Sequence, residues 1–418
     1  MKIGYACKTV GVLNTDMRSC TLKNAGSERL TELIKHNISS LNNTIDYNID
    51  NNIKLFRISS DLAPFGSSKI NTVKWWEIYK DELQNIGGKI KNNNMRVSVH
   101  PGQYTVLNSY NNEVVERAID DLVYHNRILD SLRLNSQHKM VLHIGGAYDN
   151  KTLSVERFIN NYKNLPDNVK KRLVIENDDK IYNIQEVLKI GFELGIPVIF
   201  DNLHNELNPA DQNMSEKYWI EKCQETWKEE DGNQKIHYSQ QDPQKRPGSH
   251  SEYIKISEFL KFYDMIDRTD IDIMLEVKDK NLSCVKCINC TADNLKIKAL
   301  EKEWSRYKYT ILERSHSDYL RIRELLKNKQ DFSVILFYNI IEDALSKHGD
   351  IGSRVNALEH VWGYFKNKST EKEKVHFFNS LKKFENNEMS INQVKGYLKR
   401  LADKYQQDYL RNSLYFIL

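Results

Sequence analysis

The sequence predicts an α/β fold: a (β/α)8 TIM barrel followed by a smaller all-α helical domain. Three observations predict it. Eight short apolar segments, rich in Val and Ile, alternate with helical stretches over the first 280 residues, which is the form of buried parallel strands. Each segment ends in, or just before, a polar residue. After Lys280 the strand-like alternation stops and only helical periodicity remains.

The strands are expected in KIGYA (2–6), NIKLFRIS (52–59), MRVSVHPGQY (95–104), KMVLHIGGAY (139–148), RLVIEND (172–178), IPVIFDNLH (196–204), KIHYS (235–239) and DIMLEVKDK (272–280). Between the first two, Leu30, Leu33, Ile34, Ile38, Leu41 and Ile45 recur at helical spacing. Residues 74–91, 112–134, 153–164, 183–194, 214–228 and 254–267 read as further helices. The order therefore starts with β and alternates, as a barrel requires. The expected organisation is a barrel over 1–280, a Cys-containing linker over 281–294 and a helical domain over 295–418. Helices are expected there at 296–328, 331–347, 354–366, 370–386 and 390–407.

With 418 residues, 28% of them charged, and only 7 Pro, the chain reads as ordered and two-domain rather than disordered. No apolar run approaches the roughly 18 residues that span a bilayer, so no membrane partner is expected. The N-terminus enters a strand at once and lacks a signal-peptide layout. A cytoplasmic location follows, with the six cysteines reduced. Residues 281–418 hold 24 Lys and Arg against 17 Asp and Glu, whereas residues 1–280 hold 37 against 40. Clustered carboxylates at a cation site fit the acidic part, and a polyanionic partner fits the basic one.

In a barrel the catalytic groups sit at the C-terminal ends of the strands. Those ends carry His100, His143, Glu176, Asp201, His204, His237 and Glu276. Mixed imidazole and carboxylate ligation suits Mn, Zn or Fe. Two or three close cations can activate water and hold both oxygens of a phosphodiester. After the third strand, Gln103 and Tyr104 present a polar and an aromatic tip of the kind that replaces an unstacked base. The loop after the seventh strand, QQDPQKRPGSH (240–250), offers Lys245 and Arg246 to phosphates and His250 to a further cation. Asp242 is suited to orient a ligand histidine.

At these residues the chain resembles the ultraviolet damage endonuclease family. The matching stretches are GYAC (4–7), LFRISSDLAPFGS (55–67), HPGQY (100–104), LHIGGAY (142–148), IENDD (175–179), FDNLHNELNP (200–209), QQDPQKRPGSH (240–250) and MLEVKDK (274–280). The resemblance implies a barrel with two or three divalent ions, manganese foremost. It implies a DNA-repair endonuclease that nicks duplex DNA 5′ of cyclobutane dimers, 6-4 photoproducts and abasic sites. By position, Glu176 would bridge two ions, with His100 and His143 on the first. Asp201, His237 and Glu276 would hold the second, and His204 and His250 the third. Lys235 matches a lysine that can be carboxylated in this family and joins Glu176 and His237 as a catalytic group. Gln103 and Tyr104 match the residues that probe the duplex opposite the lesion, and Tyr5 matches another lesion-side position. Two positions depart from the pattern: Ser68 stands where a histidine near the metals is frequent, and Thr9 where Asn is frequent.

Residues 304–418 resemble a second family, the YbgA-like domain of unknown function, through WSRYKYTILERSHSDYLRIREL (304–325) and NALEHVWGYFKNKSTEKEK (356–374). That resemblance implies association with another repair protein; a monomer is otherwise expected. Cys284, Cys287 and Cys290 have a spacing that can bind Zn or an iron–sulfur cluster, although no fourth ligand is evident. The functions that compete with lesion incision are an endonuclease IV-like abasic-site nuclease, a metal-dependent sugar isomerase or epimerase, and a non-catalytic damage-binding module. The PQKRPG loop and the GQY tip argue against the sugar enzyme, and the intact ligand set against the binding module.

Overall fold

The computed structural model describes residues 1–148 and 150–418. Its eight strands are β1 (Lys2–Ala6), β2 (Leu55–Ile58), β3 (Arg96–Val99), β4 (Met140–His143), β5 (Leu173–Glu176), β6 (Val198–Ile199), β7 (Gln234–Tyr238) and β8 (Ile271–Leu275). They pair in parallel in the order β6-β5-β4-β3-β2-β1-β8-β7. A parallel bridge between Asp201 and His237 joins the two ends, with the His237 N–H donating to the Phe200 carbonyl at 2.9 Å. The sheet thus closes into the expected (β/α)8 barrel. The strands are shorter than the apolar segments, because the polar ends of those segments have already left the ladder for the loops.

Side chains alternate across each strand. In β1, β2 and β8 the inward set includes Ala6, Leu55 and Met274, which pack together. Val141, Val174 and Ile199 form a second apolar patch on β4, β5 and β6. Two residues further along the inward positions lie Arg57, His143, Glu176 and Glu276, so the same parity that fills the barrel delivers polar groups to its C-terminal mouth. Tyr5 has the opposite parity to Ala6. Its ring meets Phe56 at 5.1 Å, and its hydroxyl bonds Thr9 Oγ1 at 2.8 Å and Asn48 Oδ1 at 2.9 Å. It is fully buried. The expected lesion-side role of Tyr5 is therefore not met, and Thr9 is its buried partner rather than an exposed polar contact.

Two compact units are present: Met1–Val10, Asn14–Ile254 and Glu258–Ile288 in one; Gly11–Leu13, Lys255–Ser257 and Asn289–Leu418 in the other. The segment expected as a linker is a helix, Asn281–Cys290. It continues the barrel unit because Cys284 and Cys287 are apolar enough to be buried within it. In the second unit the helix expected over 296–328 is two, Ile297–Arg314 and His316–Leu325. Ser315 ends the first with an extended backbone and caps the second, its hydroxyl accepting from the Asp318 N–H. The core of this unit gathers Leu358, Val361, Phe365, Phe377, Leu398 and Leu401, with Trp362 stacked on Phe377 at 4.5 Å. Among the described residues no helix is long and apolar enough to cross a membrane.

Candidate metal centre

Glu176, the last residue of β5, lies at the centre of the mouth with almost no exposed surface. Its Oε1 is 2.7 Å from His237 Nδ1 on β7 and 3.7 Å from His204 Nδ1. Its Oε2 is 3.4 Å from His100 Nε2, just past β3, and 3.8 Å from His143 Nε2 at the end of β4. Glu276, one residue beyond β8, places Oε1 3.4 Å from His237 Nδ1 and Oε2 3.8 Å from His250 Nε2. The structure thus gathers all eight residues expected as metal ligands. Two trios, His100/His143/Glu176 and Glu176/Asp201/His237, each bring ligand atoms within 4.8 Å of one another.

The donor set fits divalent cations. Glu176 Oε2, Asp201 Oδ2 and His143 Nδ1 are buried without a hydrogen-bond partner, and unpaired polar atoms of this kind are costly unless something binds them. Backbone carbonyls orient two of the imidazoles: His100 Nδ1 lies 2.9 Å from the Pro101 oxygen and His204 Nδ1 2.9 Å from the Asn177 oxygen. A donated Nδ1–H in each leaves Nε2 as the ligand atom. Asn177 also pairs with the Asp201 backbone, accepting its N–H at 2.9 Å and donating Nδ2–H to its carbonyl at 3.1 Å.

Burial by itself would raise the Glu176 carboxyl, yet His237 and His143 hold it well below the usual range. Burial pulls His237 down to about 4, against the pull of Glu176. An ionised carboxylate beside a neutral imidazole is the state a cation requires. Burial pushes Asp201 up to about 7, opposed by His204. Burial would lower His204, but Asp201, Glu176 and Glu276 together lift it to about 9. Burial lowers His143 and His250.

Arg57 and Asn177 were missed as functional residues by the sequence reading. Arg57 Nη2 donates to Glu276 Oε1 at 2.6 Å and lies 3.0 Å from His237 Nε2. Its signal was present: an arginine inside the otherwise apolar LFRI strand is a buried charge that needs a partner. Lys235, two residues before His237 and so one layer deeper, is fully buried with no partner for Nζ. Burial, helped by Arg57 and Arg96, drives its amine well below the ordinary lysine value.

The expected DNA contacts divide. Tyr104 is 83% exposed and Gln103 is exposed beside it. Arg246 is exposed as well. Lys245 instead pairs with Glu252 at 2.6 Å and Asp242 at 3.1 Å, sharing both carboxylates with Lys278. Asp242 is thereby engaged by lysines rather than by a ligand histidine. Ser68 Oγ accepts the Ile70 N–H at 3.3 Å, a turn contact. Cys284, Cys287 and Cys290 follow one another on a single helix. Burial raises the Cys284 thiol, which donates to the Ile3 carbonyl, Sγ to O 3.8 Å. A thiolate is what a metal needs, and among the described residues no group of three close ligand atoms includes a cysteine.

Comparison with known proteins agrees with this geometry. A UV DNA damage endonuclease of Clostridium perfringens (strain 13 / Type A) is 40% identical over 410 residues, 97% of each chain. One from Bacillus cereus (strain G9842) is 33% identical over 270 residues, 64% of this chain and 84% of that protein. The crystal structure of SacUVDE superposes with a TM-score of 0.65 at 36% identity, over 72% of this chain and 99% of that one. A model of a protein family of unknown function (DUF1722) matches residues 308–417. The UV-endonuclease UvdE family model matches residues 1–308, and the chain belongs to that family of DNA endonucleases.

Proposed function

We propose that the barrel hydrolyses one phosphodiester bond of duplex DNA immediately 5′ of an ultraviolet photoproduct, leaving a 3′-hydroxyl and a 5′-phosphate. The observation that carries this reading is Glu176: one buried carboxylate ringed by four imidazoles within 3.8 Å. Two or three divalent ions, manganese foremost, would supply activated water and stabilise charge on the phosphoryl oxygens. His100, His143 and Glu176 would hold one; Asp201, His237 and Glu276 a second; His204 and His250 a third.

The chain's own groups do the rest. Glu176 Oε1, 2.7 Å from His237 Nδ1, sets the orientation of that ring. Arg57 fixes Glu276 from the neighbouring inward position. Lys235, neutral through burial, can take up carbon dioxide with loss of a proton to give a carbamate, placing a negative charge one layer beneath His237. Gln103 and Tyr104 probe the stack, and Arg246 meets the phosphates. Recognition of distorted DNA in this way carries little sequence preference.

The test is incision of an end-labelled duplex with a single cyclobutane dimer, with and without Mn²⁺, beside Glu176→Ala. A metal-dependent nick just 5′ of the dimer, absent in the variant, is expected. Cleavage only at an abasic site would instead assign the endonuclease IV-like activity, and cleavage of neither substrate would overturn a nuclease role.

A further inference from the structure

Two neighbouring loops at the mouth begin with a ligand histidine and end in an exposed tyrosine. His100 follows β3, and Tyr110, 73% exposed, lies just before the helix Asn112–Ser131. His143 ends β4, and Tyr148, 40% exposed, lies shortly before the helix Lys151–Lys163. The two rings meet edge to face at 5.2 Å. The Arg157 guanidinium lies 5.6 Å from the centre of the Tyr148 ring.

The supports are rigid. Buried Asn108 ties one loop to the other, its Nδ2 donating to the Gly146 carbonyl at 2.6 Å. Arg157 donates from Nε to the Asn108 carbonyl and from Nη2 to Ser154 Oγ, each at 2.8 Å. Gly145, at φ +108°, makes the approach feasible, since a Cβ there would lie 2.4 Å from Asn108 Oδ1. Tyr148 itself adopts φ +52°, a left-handed backbone that bulky residues rarely take. Strain of this sort concentrates at ligand clamps. A large aromatic face held toward water by strained, hydrogen-bonded backbone is not explained by packing of the fold.

We propose that Tyr110, Tyr148 and Arg157 form a ledge that stacks an unpaired nucleotide of the bound DNA; Tyr110 shares its loop with the Gln103/Tyr104 tip. The DNA partner rests on the nuclease reading above. An exposed aromatic face accepts any base, and a guanidinium beside it adds attraction for the base and its phosphate.

The test uses the full chain without metal, in EDTA, and fluorescence anisotropy with two labelled duplexes: one fully paired, one carrying an unpaired thymine tract. The variants are Tyr110→Ala/Tyr148→Ala and Tyr110→Phe/Tyr148→Phe, with thermal melting as the folding control. The Ala pair is expected to bind the unpaired tract about 10- to 100-fold more weakly, with paired-duplex binding unchanged and the Phe pair like wild type. Equal losses on both duplexes, losses equal in the Phe pair, or no difference from wild type (absence of all binding included) overturns the ledge. Dimer incision by the wild type is scored separately. No incision with tract selectivity retained overturns the nuclease reading alone; incision with unimpaired tract binding by the Ala pair overturns the ledge alone.

Discussion

Arg57 Nη2 and Glu276 Oε1 are 2.6 Å apart, and both side chains are largely buried. The same nitrogen lies 3.0 Å from His237 Nε2, so one guanidinium spans two of the proposed ligands. Burial would raise the Glu276 carboxyl, but Arg57 and then His237 pull it below the ordinary range. Arg57 is a positioning residue: it keeps Glu276 ionised and holds the His237 ring in place.

Arg57→Ala should therefore leave a buried carboxylate without its cation. Metal affinity and incision should both fall about 10- to 100-fold, the usual cost of removing a group that orients a metal ligand. Arg57→Lys should recover part of the loss in affinity but not the simultaneous hold on Glu276 and His237. Calorimetric Mn²⁺ titration beside the incision assay checks this; metal binding unchanged in Arg57→Ala would refute it.

Cation binding should strengthen as pH rises. Asp201, held up to about 7, must lose its proton, and so must His204, lifted to about 9. As pH falls through these values both groups take up protons and compete with the ion. Mn²⁺ should bind about tenfold or more weakly at pH 6 than at pH 8, with proton release visible in buffers of different ionisation enthalpy. An affinity that does not change over that range would contradict the assignment.

Gly145→Ala should destabilise the barrel unit. The new Cβ meets Asn108 Oδ1 at 2.4 Å from a backbone at φ +108°. A loss of about 1–3 kcal/mol is expected from the backbone conformation alone, read by chemical denaturation. Gly146→Ala is the control, since the nearest atoms to a Cβ there belong to the Tyr148 ring, at ordinary contact distance.

Glu303, in the second unit, gives a pH signature of stability. Burial pushes its carboxyl above 4.5, against Arg306 and the Tyr338 hydroxyl. The folded state keeps a proton that the unfolded state has lost, so stability is greatest at low pH and falls as pH rises from about 4.5 upward. Glu303→Gln removes this dependence. The variant should match wild type near pH 4 and be increasingly more stable than wild type as pH rises to 8. Melting curves across that range would show a gap that widens with pH; a constant gap would rule the mechanism out.

Much of the fold was legible because burial leaves a periodic trace. Apolar segments of strand length, separated by helical stripes, specified a parallel barrel, and the polar residue at each strand end marked the mouth. Seven of the eight proposed ligands could be named because strand ends converge in a barrel whatever their separation along the chain; the eighth, His250, was named from the loop after the seventh strand. Tyr5 was misplaced because a resemblance by position carries no parity: one residue's shift from Ala6 turns a side chain from the barrel interior to the helix layer. The break at Ser315 was hidden because helical stripes run on either side of it, and only the cap reveals the turn.

The sequence by itself determined the barrel, the helical second unit and the identity of the imidazole and carboxylate set, since these follow from local periodicity and strand order. Tertiary structure alone decided that Arg57 spans Glu276 and His237, that Lys245 is occupied by Glu252 and Asp242, and that Tyr110 and Tyr148 meet above Asn108. Those relationships join residues far apart in sequence through distances and burial. Pairwise chemistry of that kind leaves no period along the chain.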